Sequence, residues 1–518
     1  MKNREIDAAW AYHNGTKHSY QRIRANPHYL DFENQPLPFK IYSGLEPRAL
    51  PAHLSSSGMP SLAAISAADA PRDRQVTPAR QALAEILFLS AGVTRRRKYP
   101  GGEILFRAAP CTGALYHIDL YLVCADLPDL PAGVYHFGPH DFALRCLRQG
   151  DFRGVLTRAS GQEPSVADAP AVLLCASTFW RNAWKYQARA YRHCYWDNGT
   201  MLANLLAAAA ARALPAKVVI GFVDGEIGEL LGLDPQREAA LSLVSLGCGA
   251  ARPVLASTPL EPLDLPTEPP SKPEVDYPAM RAMHEASSLA SEDEVVQWRA
   301  ANDFRSFAQD AGISNGGRRF SVQAPSENDV PSETIEDVIV RRGSTRQFAR
   351  ESIAFGQLST LLGRATRGVS ADFLTAGESL NQLYLIVHAV DDLKPGAYVY
   401  RRDLHALELL KEGDFRREAG DLGLGQDIPA DCSVNVYFLA DLSRVLDRFG
   451  NRGYRAAQLE ASIMGGKLYL AAYAQGLGAS GLTFFDDDVT EFFSPHAAGK
   501  SVMFLIALGK SVKRKRRG

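Results

Sequence analysis

The stretch PAGVYHFGPHDFALRCLRQGDFR (residues 131–153) returns later in the chain as KPGAYVYRRDLHALELLKEGDFR (residues 394–416). Gly133, Tyr135 and Gly150 recur at Gly396, Tyr398 and Gly413, each 263 residues on. The same step carries Tyr121 to Tyr384, Tyr191 and Arg192 to Tyr454 and Arg455, and Asp224 to Asp487. Chance does not hold one register over such a distance. Near the ends, LSLVSLG (241–247) and VMFLIALG (502–509) correspond as well, so whole domains were duplicated rather than a short solenoid unit.

Each copy mixes helical and extended patterns. Apolar residues at helical spacing mark residues 78–90 and 197–213, while IDLYLVCA, AVLLCAS and KVVIGFVD read as strands. This predicts an α+β fold with a sheet between helices. Between the copies, residues 253–278 carry a proline every few positions and cannot form regular helix or a central strand. Helical spacing resumes over 279–310, followed by the polar, glycine-bearing GISNGGRRFSVQAPSEND. The expected organisation is a lead segment (1–45), a first domain (46–252), a linker with a helix (253–330) and a second domain (331–518).

The chain has 518 residues, 46% of them hydrophobic, enough for two ordinary cores. Its 57 Lys and Arg nearly balance 58 Asp and Glu, which argues against a protein built around nucleic acid; only the tail KSVKRKRRG departs from that balance. Seven cysteines with no CxxC pair form no disulfide framework and no zinc knuckle, and suit a reducing compartment. The N-terminus lacks an apolar signal core, and no window approaches the roughly 18 apolar residues of a membrane span. A cytoplasmic protein is expected. His13, Lys17 and His18 in the lead have no carboxylate or thiol at ligand spacing, so no metal is expected there.

GLGASG (476–481) has the spacing of a dinucleotide loop, but in the reverse context. The preceding segment is helical and LTFF after it reads as a strand, so these glycines first serve a helix end and a tight turn.

The copies differ where chemistry is expected. Copy two has IEDVIVRRGSTRQF, with Arg341, Arg342, Ser344 and Arg346 at a helix end. These residues form either a solvated basic end or an oxyanion clamp. The matching place in copy one, near SAADAPRD (66–73), lacks that set of arginines. Copy one instead has APCTGALY, a turn of proline and small residues at Pro110, Cys111, Thr112 and Gly113, and it has Lys185 and Tyr186 where copy two has Arg448 and Phe449. Lysine can act as a base when burial or positive charge lowers its pKa, and tyrosine can relay a proton; taken alone, the pair reads first as surface or structural. Asp197 fits a helix N-cap.

Together YHNGTKHSY, LDFENQPLPFKIYSGL, APCTGALY, WKYQARAYRHCYWDNG and RRGSTRQF resemble the SagB/ThcOx-type dehydrogenases of the nitroreductase superfamily, here in tandem. The resemblance covers nearly the whole chain. It implies two nitroreductase-like domains pairing as an intramolecular pseudodimer, with FMN at the interface. By that resemblance Arg341, Arg342, Ser344 and Arg346 bind the FMN phosphate. The turn Pro110, Cys111, Thr112 and Gly113 lies against the flavin, as does the backbone of Gly478, Ala479, Ser480 and Gly481. Because the clamp and the turn lie on different copies, one FMN site is retained and one lost. The implied reaction is oxidation of thiazolines or oxazolines in peptide-derived substrates to azoles, with Lys185 as base and Tyr186 as its partner. Two alternatives stay open: a NAD(P)H-dependent reductase of nitro compounds or quinones, and a scaffold of a biosynthetic complex. Cys111 stands where the family often has serine.

Overall fold

The repeated stretch folds into the same hairpin twice. Even its irregularity is duplicated, with a register slip between Val134 and Tyr135 in one copy and between Ala397 and Tyr398 in the other. A Cβ on Gly133 would lie 2.9 Å from the Arg148 carbonyl oxygen, and one on Gly396 would lie 2.5 Å from that of Lys411, which is why both positions are glycine.

The computed structural model describes residues 2–67, 75–99, 102–253, 260–301, 317–322, 331–375 and 377–512. In the first half, β1 (Arg48–Ala49) is followed by a separate hairpin of β2 (Val93–Tyr99) and β3 (Gly102–Arg107). Then come β4 (Ile118–Cys124), β5 (Gly133–Gly138), β6 (Ala143–Gln149), β7 (Ala171–Thr178), β8 (Ala216–Val219) and β9 (Glu238–Leu246). They form an antiparallel sheet of order β1-β6-β5-β4-β7-β9-β8. The second half supplies β10 (Arg319–Ser321), β11 (Asn381–Val387), β12 (Gly396–Arg401), β13 (Ala406–Glu412), β14 (Val434–Ala440), β15 (Gly478–Gly481) and β16 (Ser501–Gly509). Their order, β10-β13-β12-β11-β14-β16-β15, repeats the first strand for strand. Strands such as β7 and β14 are buried at every position, as continuous apolar runs covered on both faces must be. The fold is α+β, two like domains in one chain.

The halves meet along two long helices, Ala190–Ala210 and Arg452–Ala474, buried on nearly all sides. Small residues permit the approach. A Cβ on Gly199 would sit 1.9 Å from Ser462 Oγ, and one on Gly466 would sit 2.6 Å from Ala203 Cβ. Trp196 Nε1 donates to Gln458 Oε1 across the seam at 2.6 Å.

Reciprocal ion pairs close both ends of the seam. Arg189 and Arg192 of the first half bind Asp486 of the second at 2.9 and 2.5 Å. Arg452 and Arg455 of the second half bind Asp224 of the first at 2.6 and 2.7 Å. The partner of Asp224 in the repeat is therefore Asp486 and not Asp487, because the second copy is one residue shorter at that point. The lead helix Asp7–Gly15 and the helix Pro278–Ala286 also repeat one another. His13 O and Thr16 Oγ1 receive Arg192 as His284 O and Ser287 Oγ receive Arg455. His13 and His18 thus serve packing, and Lys17 pairs with Asp487.

Other details differ from the sequence expectation. The segment 279–310 holds two helices, Pro278–Ala286 and Glu292–Ala300, with 302–316 outside the described residues. Arg319–Ser321, expected in the linker, is an edge strand on β13. Within 476–481, the strand is Gly478–Gly481 itself, not LTFF. Residues 513–518 of the basic tail lie outside the described residues. No described helix is long and apolar enough to cross a membrane.

Candidate active site

Arg342 ends the helix Ile335–Arg341 and crosses to the first half, where Nε donates to Ala108 O at 3.0 Å and Nη2 to Arg107 O at 3.4 Å. Burial lowers its pKa. Those carbonyls stand just before the Pro110–Gly113 turn, so the clamp of one copy and the turn of the other are adjacent. Ser344 Oγ lies 3.4 Å from Tyr469 OH, which also accepts the Gly481 amide. Thr345 N donates to Ala479 O at 2.8 Å, and a Cβ on Gly478 would strike Thr345 Oγ1 at 2.2 Å. The strand Gly478–Gly481 is thus sewn to the arginine turn, with Ser480 buried in it. Arg346 is exposed and makes no hydrogen bond or ion pair among the described residues. Arg341 points elsewhere, held by Glu333 at 2.5 Å and by Tyr473 O at 2.9 Å. The structure therefore gathers Arg342, Ser344, Arg346 and the glycine strand, and leaves Arg341 out.

On the first-half side, Asp197 anchors the turn. Its carboxylate accepts Cys111 Sγ at 3.0 Å, Thr112 N at 2.9 Å and Thr112 Oγ1 at 2.7 Å, and meets His117 Nε2 at 2.9 Å. Asp197 is therefore a mid-helix anchor and not an N-cap; the helix begins at Ala190. Pro110 O receives Thr200 Oγ1 at 2.9 Å. Gly113 is left-handed at φ 61°, and a Cβ there would lie 3.1 Å from Tyr186 OH. Burial, and then the Asp197 carboxylate, push the Cys111 thiol well up, so it stands as a protonated donor. Cys111, His117 and Asp197 place three ligand-type atoms within 4.8 Å of one another. In this structure they are joined by hydrogen bonds to the Asp197 carboxylate.

Lys185 and Tyr186 end the helix Phe179–Tyr186 beside this turn. Lys185 Nζ lies 5.4 Å from the Tyr186 ring centroid and has no hydrogen bond or ion pair among the described residues. Burial, and then Arg346 of the second half, lower its pKa. Burial, followed by Asp197 and Cys111, raises that of Tyr186. At the equivalent place in the second half, Arg448 is bound to Glu378 at 2.7 Å and Phe449 has no hydroxyl.

The equivalent place on the opposite side lies beside β8, where a cavity of about 560 Å³ is lined by Ala67, Ala216, Lys217, Ala371, Thr375 and Gly377. Asp372 accepts the amides of Ile220 and Gly221 at 3.0 and 2.8 Å, and its own amide donates to Val218 O at 3.0 Å. Val218 pairs in parallel with Ala371. Trp298 stacks 5.4 Å from Phe449, and a Cβ on Gly221 would lie 2.9 Å from its ring. Sequence reading missed these contacts, because neither Asp372 nor Trp298 sits in a motif. Most of SAADAPRD lies outside the described residues.

The side formed by the Arg342 turn and the first half has two guanidiniums with unspent donors and a hydroxyl at one end, and a proline-glycine turn and a glycine strand at the other. This donor set fits a flat cofactor with a phosphate tail, FMN, because arginine holds phosphate with paired N–H donors and glycine lets a ring approach backbone.

Residues 339–510 match the model of the Nitroreductase family. The second half carries a nitroreductase-family domain. A Methanocaldococcus jannaschii protein named as a nitroreductase is 28% identical over 165 residues, which is 32% of this chain and 78% of that protein. Trifolitoxin-processing protein TfxB of Rhizobium leguminosarum bv. trifolii is 30% identical over 149 residues, 28% of this chain and 40% of that protein. A crystal structure from Anabaena variabilis, also named as a nitroreductase, superposes with TM-score 0.75 at 25% identity, covering 97% of this chain and 99% of that one. The tandem fold is that of the nitroreductase superfamily, and the likenesses support an oxidoreductase.

Proposed function

We propose that the chain holds one FMN across the seam and dehydrogenates thiazoline or oxazoline rings in peptide-derived substrates to the azole. Arg342, Ser344 and Arg346 hold the phosphate in this reading, while Pro110–Gly113 of the first half and Gly478–Gly481 of the second border the ring. Bound FMN supplies the two-electron acceptor. Lys185 Nζ takes the proton from the carbon next to the reacting ring carbon, and Tyr186 OH, set against Gly113, orients the substrate or relays that proton. The observation that carries the reading is the Lys185 amine: half-buried, free of polar partners among the described residues, and lowered in pKa by burial and by a cation from the opposite half. That state suits a general base. The processing role in the name of TfxB supports a peptide substrate.

The names of the Anabaena and Methanocaldococcus proteins favour a second reading, a NAD(P)H-dependent reductase. Anaerobic mixing separates the two. Bleaching of the flavin by an azoline peptide but not by NADPH supports the dehydrogenase, and the reverse result supports the reductase.

A further inference from the structure

Asn204 and Lys467 stand one 263-residue step apart on the two seam helices. Each donates to a backbone carbonyl, Asn204 Nδ2 to Leu89 O at 2.9 Å and Lys467 Nζ to Gly368 O at 2.6 Å. An uncharged amide is enough for such a bond. The second half therefore carries at this place a charge that the packing does not need. That charge is buried, with Lys467 only 5% exposed. Among the described residues no carboxylate pairs with it. Burial, and then the charge of Arg402, lower its pKa to about 8, the direction an amine takes when no acid answers it.

Lys467 and Gly368 both line the cavity of about 560 Å³ beside β8, a volume within the range of small-molecule sites. The walls around them are apolar, from Ile65, Leu206, Ala207, Leu214 and Leu374. Two buried acids, Glu163 and Glu378, also reach the lining, and each has cations of its own. Glu163 holds Lys217 at 2.9 Å and Arg299 at 3.2 Å, and Glu378 holds Arg448 at 2.7 Å. The other charged residue of the lining, Arg367, is exposed. The cavity thus offers one buried ammonium without a counter-charge, with N–H donors to spare. None of the residues assigned to the flavin lines it.

We infer that this cavity binds a small monocarboxylate with an apolar body, its carboxylate on Lys467 Nζ and its body against Leu206, Leu214 and Leu374. An anion that pairs with the ammonium relieves the cost of burying it alone. A single amine flanked by two acids does not suit a phosphate, which converging arginines hold. The inference does not depend on which reaction the seam site performs. The test is calorimetric titration of the full chain with 2-naphthoate at about pH 7 and about pH 9.5. The probe stays ionised at both, whereas the amine loses its proton between them. Saturable one-to-one binding is expected at the lower pH, at least tenfold weaker at the higher. Lys467→Met should abolish binding with flavin content unchanged, and Lys467→Arg should restore binding without the pH dependence. Thermal melts check that both variants are folded; if either is not, the pH dependence of the unaltered chain decides. No saturable binding, equal binding at the two pH values, or binding indifferent to Lys467→Met would overturn the inference.

Discussion

At the scale of single residues, the account turns on Lys185. Removing a positioned base costs about 10²–10⁴-fold in rate, so Lys185→Ala is expected to lower kcat on an azoline peptide by that order while flavin content stays unchanged. Full turnover in the variant would remove the proton-transfer role. Arg346 gives a sharper test because it lowers the Lys185 pKa from the other half. Arg346→Gln takes that charge away, the amine holds its proton to higher pH, and the acid limb of the kcat profile, along which the base must lose its proton, should move to higher pH. The Lys185–Tyr186 pair was legible in the sequence because the second copy lacks it. The role of Asp197 was not. The helix starts at Ala190 with no side-chain cap, so the sequence offers no start signal until a cap-type residue appears seven positions later, and that residue in fact reaches outward to Cys111 and Thr112.

At the scale of elements, the two long helices and the Asp372 contacts hold the halves together. Gly199→Leu would drive a side chain into Ser462 and the Ile463 amide. Overpacking of this kind costs about 1–3 kcal/mol or more, and a fall in melting temperature with weakened FMN binding is expected. Asp372→Ala strips a buried carboxylate from the Ile220 and Gly221 amides. Stranding buried donors costs about 1–3 kcal/mol. The variant should melt lower and still take up no second FMN, since the first copy lacks the arginine set of the second. The duplicated hairpin was readable because its glycines and tyrosines hold one register. The strand at Gly478–Gly481 was not, because its four residues carry no alternating apolar pattern and pair only through tertiary contact with β16. The Ala371–Val218 bridge was invisible for a related reason, as it joins residues more than 150 apart in the chain.

For the whole molecule, charge at the seam links stability to pH. Burial opposes ionisation of Asp224 and Asp486, but the two arginines facing each outweigh it and hold both carboxyls well below the usual range. A lowered folded-state pKa contributes stability that is complete above the unfolded value, about 4 for a carboxyl, and is lost as pH falls through the folded value. Burial lowers His18 and His284 to about 3, so their contribution is complete above about 6.5 and declines below it. Melting temperature should fall as pH drops below about 6.5, and more steeply below about 4; a rise on acidification would contradict the seam. The duplication was legible in the 263-residue step, and the pairing of its halves was implied by the family resemblance. The repeated lead helix was not, because His13 and His284, or Thr16 and Ser287, follow a different step and share few other residues. The measurement that tests the account most directly is the flavin released and counted per chain, with its spectrum, from purified protein and from Arg342→Ala plus Arg346→Ala. The account predicts one FMN per chain, lost in the double variant. Two per chain, or one that the variant retains, would contradict it.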